Sequence, residues 1–124
     1  MKNNILVVED TSAVREEICD ILKMEGFNVT EAENGKQGLK LAQIVKPNLI
    51  LSDIVMPEMN GFELYEKIQE NSEINNIPVV FLSAKADKNI LKKAKEMGTG
   101  EYIIKPVSPD TLIKTIKKEL ISIK

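Results

Sequence analysis

Five short runs of β-compatible apolar residues, each followed by a segment of helical periodicity, leave this chain few ways to fold. Asn4-Ile5-Leu6-Val7-Val8 is the first run. Behind it Val14, Ile18, Ile21 and Leu22 recur at helical spacing, with Thr11 or Ser12 as the cap and Gly26 as the stop. Phe27 to Ala32 is a weaker, half-exposed run that suits a sheet edge. Asn34-Gly35 opens a second helix with Leu39 and Ala42 inward. Pro47 ends it near Val45, because the residue before a proline avoids helical geometry. Leu49-Ile50-Leu51 is continuously apolar, the pattern of a strand buried on both faces, and the chain then reaches Asp53 and the Pro57 turn. Leu64 and Ile68 mark a third helix, and Ile77 to Leu82 a fourth strand ending at Ser83. A lysine-rich helix over 87–97 has a thin apolar face of Ile90, Ala94 and Met97. Glu101 to Ile104 is the last strand, ending at Lys105-Pro106; Ser108 caps and Pro109 opens a final helix striped by Leu112, Ile116 and Leu120. This alternation implies right-handed βαβ crossovers and an α/β fold, a doubly wound parallel sheet covered on both faces.

In such a sheet the carboxyl ends of the strands share one edge, where ligands bind. Four of the runs end there in groups able to do chemistry: Glu9-Asp10, Asp53, Ser83 and Lys105. Three carboxylates brought together repel one another unless a cation sits among them. A few oxygen ligands with room for water suit Mg²⁺. Lys105 adds a fixed positive charge and Ser83 a hydroxyl, so an anion held over the metal is expected, and a phosphoryl group fits. Asp53 stands alone on a central strand and is the candidate nucleophile; Glu9 and Asp10 form the metal pair. Singly, each residue has an ordinary reading: a solvated lysine, a turn serine, two helix N-terminal acids favoured by the dipole. Tyr102 reads equally well as a half-buried core aromatic. Their coincidence at the ends of four strands of one sheet is what points to function.

The residues that are missing narrow the chemistry further. There is no histidine, and Cys19 is the only cysteine, so His-based nucleophilic triads, phosphohistidine and Cys or His metal sites are all excluded. Cys19 falls beside apolar helix positions and is read as a small core or boundary residue. A net charge of −2 without a dense basic block argues against direct nucleic-acid binding. No apolar run reaches the roughly 18–20 residues of a membrane span, and the N-terminus does not read as a signal peptide. A cytoplasmic protein with no membrane partner is expected. Met56, Met59 and Met97 read as packing residues and Gly61 as a turn former.

Val7-Val8-Glu9-Asp10, Asp53-Ile54-Val55-Met56-Pro57 with Gly61, Ser83-Ala84 and Tyr102-Ile103-Ile104-Lys105-Pro106 together resemble a response-regulator receiver domain of two-component signalling. The resemblance covers essentially the whole chain, so residues 1–124 are expected to be a single receiver domain without an output domain. It implies a five-stranded, flavodoxin-like sheet of order 2-1-3-4-5 flanked by five helices; spacing alone gives only the parallel α/β class. It implies that Asp53 takes a phosphoryl group from a sensor histidine kinase or a histidine phosphotransfer protein. Glu9, Asp10, Asp53 and the backbone carbonyl of Val55 would surround Mg²⁺, with Lys105 on the phosphate. Ser83 and Tyr102 would act as switch residues, and the Lys105-Pro106 bond would be cis. The fourth helix, fifth strand and fifth helix would then control a downstream effector protein. On this reading the chain is a signalling switch that catalyses only its own phosphorylation and slow dephosphorylation. It would be a monomer or a phosphorylation-dependent dimer.

A small phosphatase of the haloacid-dehalogenase type also uses a strand-end Asp, a Ser or Thr and a Lys, but carries a second Asp where this chain has Val55. Nucleotide-binding glycine motifs are absent from the sequence. A non-phosphorylated, receiver-like scaffold is the remaining alternative. Val55 and Lys85 occupy positions that vary in the family. An apolar Val55 cannot orient an attacking water, which implies a long-lived aspartyl phosphate. Ser83 stands where Thr is commoner and keeps the hydroxyl.

Overall fold

The computed structural model describes residues 3–83, 88–97 and 101–122. Its strands are β1 (Asn4–Val8), β2 (Asn28–Ala32), β3 (Leu49–Asp53), β4 (Val79–Ser83) and β5 (Glu101–Ile104). The helices between and after them are α1 (Ser12–Met24), α2 (Gly35–Val45), α3 (Gly61–Gln69), α4 (Lys88–Glu96) and α5 (Pro109–Ser122). All strand pairs are parallel, in the order β2-β1-β3-β4-β5. β2 is an edge strand and only half covered, as its mixed sequence implies. β3 lies at the centre and is buried throughout. Lys85, Ala84 and Asp87 lie outside the described residues.

Side chains alternate across each strand, so the sheet separates two cores. Ile5, Val7, Leu49, Leu51, Val80 and Leu82 pack with Ile18, Cys19 and Leu22 of α1 and with Leu112 and Ile116 of α5. Leu6, Val8, Ile50 and Phe81 face Ala42, Leu64, Ile68 and Ala94 on the other side. Each fully buried Leu or Ile contributes roughly 1.5–3 kcal/mol of transfer free energy. Phe81 adds an edge-on contact to Phe62, with ring centroids 5.2 Å apart.

Two local expectations need correction. Thr11 occupies the N-cap position of α1, but its side chain makes no capping bond; its N–H instead donates to Glu9 Oε2 at 3.0 Å. Gly61 is required by proximity rather than by backbone conformation. A Cβ there would lie 2.5 Å from the Asp53 carbonyl oxygen and 2.9 Å from Ile54 Cα. The left-handed residue of that loop is Glu58, at φ 66°. Ile74, in the irregular segment after α3, is fully buried although no periodicity marks it. Elsewhere the punctuation acts as expected: α2 stops at Val45 with Lys46 at φ 49°, and Gly26 takes φ 96° after α1.

Candidate functional site

Parallel register carries the strand-end residues to one edge. Val8 pairs with Ser52, Asp53 with Leu82, and Ser83 with Ile104, so β1, β3, β4 and β5 finish side by side. Glu9 follows β1, Asp53 and Ser83 are the last residues of β3 and β4, and Lys105 follows β5. The backbone tightens this edge: Ile54 N–H donates to Leu82 O at 3.0 Å and Lys105 N–H to Ser83 O at 2.7 Å.

Lys105 Nζ donates to Glu9 Oε1 at 2.6 Å and to Asp53 Oδ2 at 3.0 Å, joining residues 96 and 52 positions away. Glu9 is completely buried and Asp53 is 5% exposed, and the Lys105 ammonium offsets part of the cost of taking them out of water. Asp10 is exposed, yet one oxygen each of Glu9, Asp10 and Asp53 lie within 4.8 Å of one another. Its pKa is raised by partial burial first, and then by its hydrogen bond to Glu9 and the Glu9 charge. For Lys105, burial works against the charged form. The hydrogen bonds to Glu9 and Asp53, with their charges, outweigh it, and the ammonium is held above the ordinary lysine value. The site thus carries three carboxylates against one ammonium.

That donor set fits Mg²⁺. It consists of hard carboxylate oxygens on one edge, one of them open to solvent, and it is under-neutralised as it stands. Glu9, Asp10 and Asp53 would hold the ion.

Of the other residues named from sequence, Ser83 is buried at the end of β4. Val55 leaves its side chain 64% exposed just past Asp53. Tyr102 is half-buried, paired in register with Phe81 and packed against the core on the α3–α4 side. The Lys105-Pro106 bond is cis. Arg15 was not anticipated. Its guanidinium donates to the Glu9 carbonyl at 2.7 Å and to Glu31 Oε1 at 3.3 Å. One signal was available: a cation in the first turn of a helix opposes the dipole and is misplaced unless it bonds something else.

With this geometry established, comparison with known proteins decides the family. Residues 5–117 match the response regulator receiver domain. The chain belongs to the response regulator receiver family. Protein PilH of Pseudomonas aeruginosa is 36% identical, over 94% of this receiver and 96% of its own length. Histidine kinase P4 of Formosa agariphila is 47% identical over 85% of this receiver, which spans only 8% of that longer protein. Among solved structures, the chemotaxis protein CheY4 of Vibrio cholerae is similar with a TM-score of 0.89 and 28% identity, covering 95% of this chain and 98% of that one. The receiver is therefore a signalling switch of two-component systems, with the parallel 2-1-3-4-5 sheet of that family. Among the described residues no helix is long and apolar enough to cross a membrane.

Proposed function

We propose that Asp53 is the phosphoryl acceptor of this receiver and that its phosphodonor is a phosphohistidine on a sensor kinase or a histidine phosphotransfer protein in the cytoplasm. The juxtaposition of Asp53, Lys105 and the Glu9-Asp10 pair at one sheet edge carries this reading. In the transfer, an Asp53 carboxylate oxygen forms a bond to phosphorus as the phosphorus–nitrogen bond of the donor breaks; the departing imidazole recovers its proton from solvent. Mg²⁺ held by Glu9, Asp10, Asp53 and the Val55 carbonyl would supply positive charge to the phosphoryl oxygens. Lys105 supplies a second positive charge, already fixed beside Asp53 by two hydrogen bonds, so little reorganisation opposes the step. Ser83 offers its hydroxyl to a phosphoryl oxygen, and Tyr102 moves further inward behind it. The surface of α4, β5 and α5 then changes and engages an effector protein.

Incubation of the full chain with Mg²⁺ and acetyl phosphate tests the reading by intact mass. A gain of about 80 Da, one phosphoryl group by the chemistry of transfer, is expected. It requires Mg²⁺ and is absent in Asp53→Asn. No adduct on the folded wild-type chain would leave a receiver-like scaffold. With Val55 unable to orient water, the adduct is long-lived; a Val55→Asn variant that holds phosphate as long as the wild type would remove that part of the proposal.

A further inference from the structure

Glu9 is unusual in that each of its polar atoms has a fixed partner. Its N–H donates to Ala32 O at 3.0 Å, across to β2. Its carbonyl accepts from Arg15 Nη1 at 2.7 Å. Oε2 accepts from the Thr11 N–H at 3.0 Å, and Oε1 from Lys105 Nζ at 2.6 Å. Lys105 is the one partner whose charge the phosphoryl group also requires. When Lys105 turns to that group, the remaining three contacts must keep a fully buried carboxylate in place. Two of them are to backbone groups, the Ala32 carbonyl and the Thr11 N–H. The third is a side chain, and it is anchored in turn: Arg15 Nε donates to Glu31 Oε1 on β2 at 3.3 Å, and the Arg15 side chain is only 15% exposed.

We propose that Arg15 is a positioning residue for the metal site, holding the Glu9 backbone so that its carboxylate stays aimed at the ion. The planar guanidinium suits the task because one fork spans two acceptors on different elements, the strand end and the neighbouring edge strand. Arg15 touches neither phosphate nor metal in this scheme. It acts through Glu9, and the inference rests on reading Glu9 as a metal ligand. Outer partners that orient a metal ligand commonly affect affinity as strongly as a weakened ligand does.

Calorimetric titration of the full chain with Mg²⁺, paired with the acetyl phosphate rate as a function of Mg²⁺ concentration, tests it. Arg15→Ala is expected to weaken Mg²⁺ binding by about tenfold. Its phosphorylation rate should return close to that of the wild type once Mg²⁺ saturates. Arg15→Lys should recover part of the affinity, since an ammonium can donate to the Glu9 carbonyl but cannot also span to Glu31. A purely structural arginine would lower the melting temperature and leave the affinity of the folded protein unchanged. Arg15→Ala that is folded and binds Mg²⁺ within about twofold of wild type overturns the proposal. Should Arg15→Ala not fold, Glu31→Gln loosens the same fork from outside the site. It should then weaken Mg²⁺ binding about two- to threefold, and no change would be equally decisive against it. Wild-type protein that takes up no Mg²⁺ would instead sink the metal-site reading itself, and this inference with it.

Discussion

The β1–α1 corner and helix α4 belong to the same small domain and are secured by opposite means. At the corner the Glu9 charge is buried and tied on every side, and Lys105 bridges two carboxylates. On α4 the charges are outside. Lys88, Lys92 and Lys95 stand exposed at i, i+4 and i+7, and of the residues on that helix only Ala94 is fully buried. Polar contacts to α3 include Tyr65 Oη donating to the O of Met97, just past α4, at 3.1 Å, and Lys93 Nζ 4.8 Å above the Phe62 ring. Like charges one turn apart weaken an isolated helix by roughly 0.2–0.5 kcal/mol, so α4 depends on its contacts with the rest of the domain. The difference is instructive. On the proposed reading, the groups that meet phosphorus are preorganised by fixed bonds inside the protein, whereas α4 turns most of its residues to solvent.

The contrast breaks most sharply at Lys105. Lys105→Met keeps the aliphatic stem and removes the cation, leaving Glu9 buried without its nearest countercharge. A loss of about 3 kcal/mol in Mg²⁺-free urea unfolding is expected, at the lower end of what breaking a buried ion pair costs. Mg²⁺ should then stabilise the variant more than it stabilises the wild type, because three carboxylates remain with no ammonium among them. Equal unfolding midpoints for variant and wild type would mean that the corner is not held by its charges.

Gly61→Ala probes the neighbouring β3–α3 junction on the same sheet edge without touching a charge. The new methyl would lie 2.5 Å from the Asp53 carbonyl, and Gly61 N–H also donates to Ile54 O at 2.8 Å, so strand end and helix start must part. Overpacking of this kind costs about 2 kcal/mol. The phosphorylation rate should fall as well, since the displaced backbone is that of the proposed acceptor, Asp53. A variant with wild-type stability would show the close approach to be relaxed at no cost.

At α4 the expected effect is smaller. Tyr65→Phe removes one hydrogen bond to a half-buried carbonyl, worth about 1 kcal/mol. Amide exchange should accelerate in α4 and remain unchanged in β1 and β3. Acceleration spread evenly over the sheet would mean that α4 is not a separately secured element.

How much of this was legible beforehand follows from the kind of contact involved. The strands and helices were, because period 2 and period 3.6 are local properties of the chain, and Gly26, Pro47 and Pro109 punctuate them. The meeting of Glu9, Asp10, Asp53 and Lys105 was legible too, since the carboxyl ends of parallel strands share one sheet edge. The order of the strands came from family resemblance and not from any pattern in the residues. Arg15, the steric role of Gly61, the burial of Ile74 and the Tyr65–Met97 bond were not legible. Each depends on which atoms of distant segments come within a few ångströms, and residue type alone does not encode that distance.

A pH series separates the two ways of burying a titratable group. Lys105 is kept charged by its partners, and Cys19, 1% exposed between α1 and the sheet, is kept neutral by burial, which pushes its thiol from 9.0 up to about 11. Both shifts favour the protonated form in the folded state, so both contributions are present at neutral pH and fade as the solution becomes alkaline. They fade in different windows. The unfolded thiol begins to ionise near 9 while the folded one does not, which removes about 0.4 kcal/mol already at pH 9 and more towards 11. The lysine contribution is lost only above the ordinary lysine value of 10.5, as pH rises through the higher folded value. Urea midpoints measured from pH 8 to 11 should therefore decline in two stages. Cys19→Ala should flatten the first stage and leave the second, and Lys105→Met the reverse. A Cys19→Ala variant with the full early decline would place the alkaline weakness at the charged corner alone.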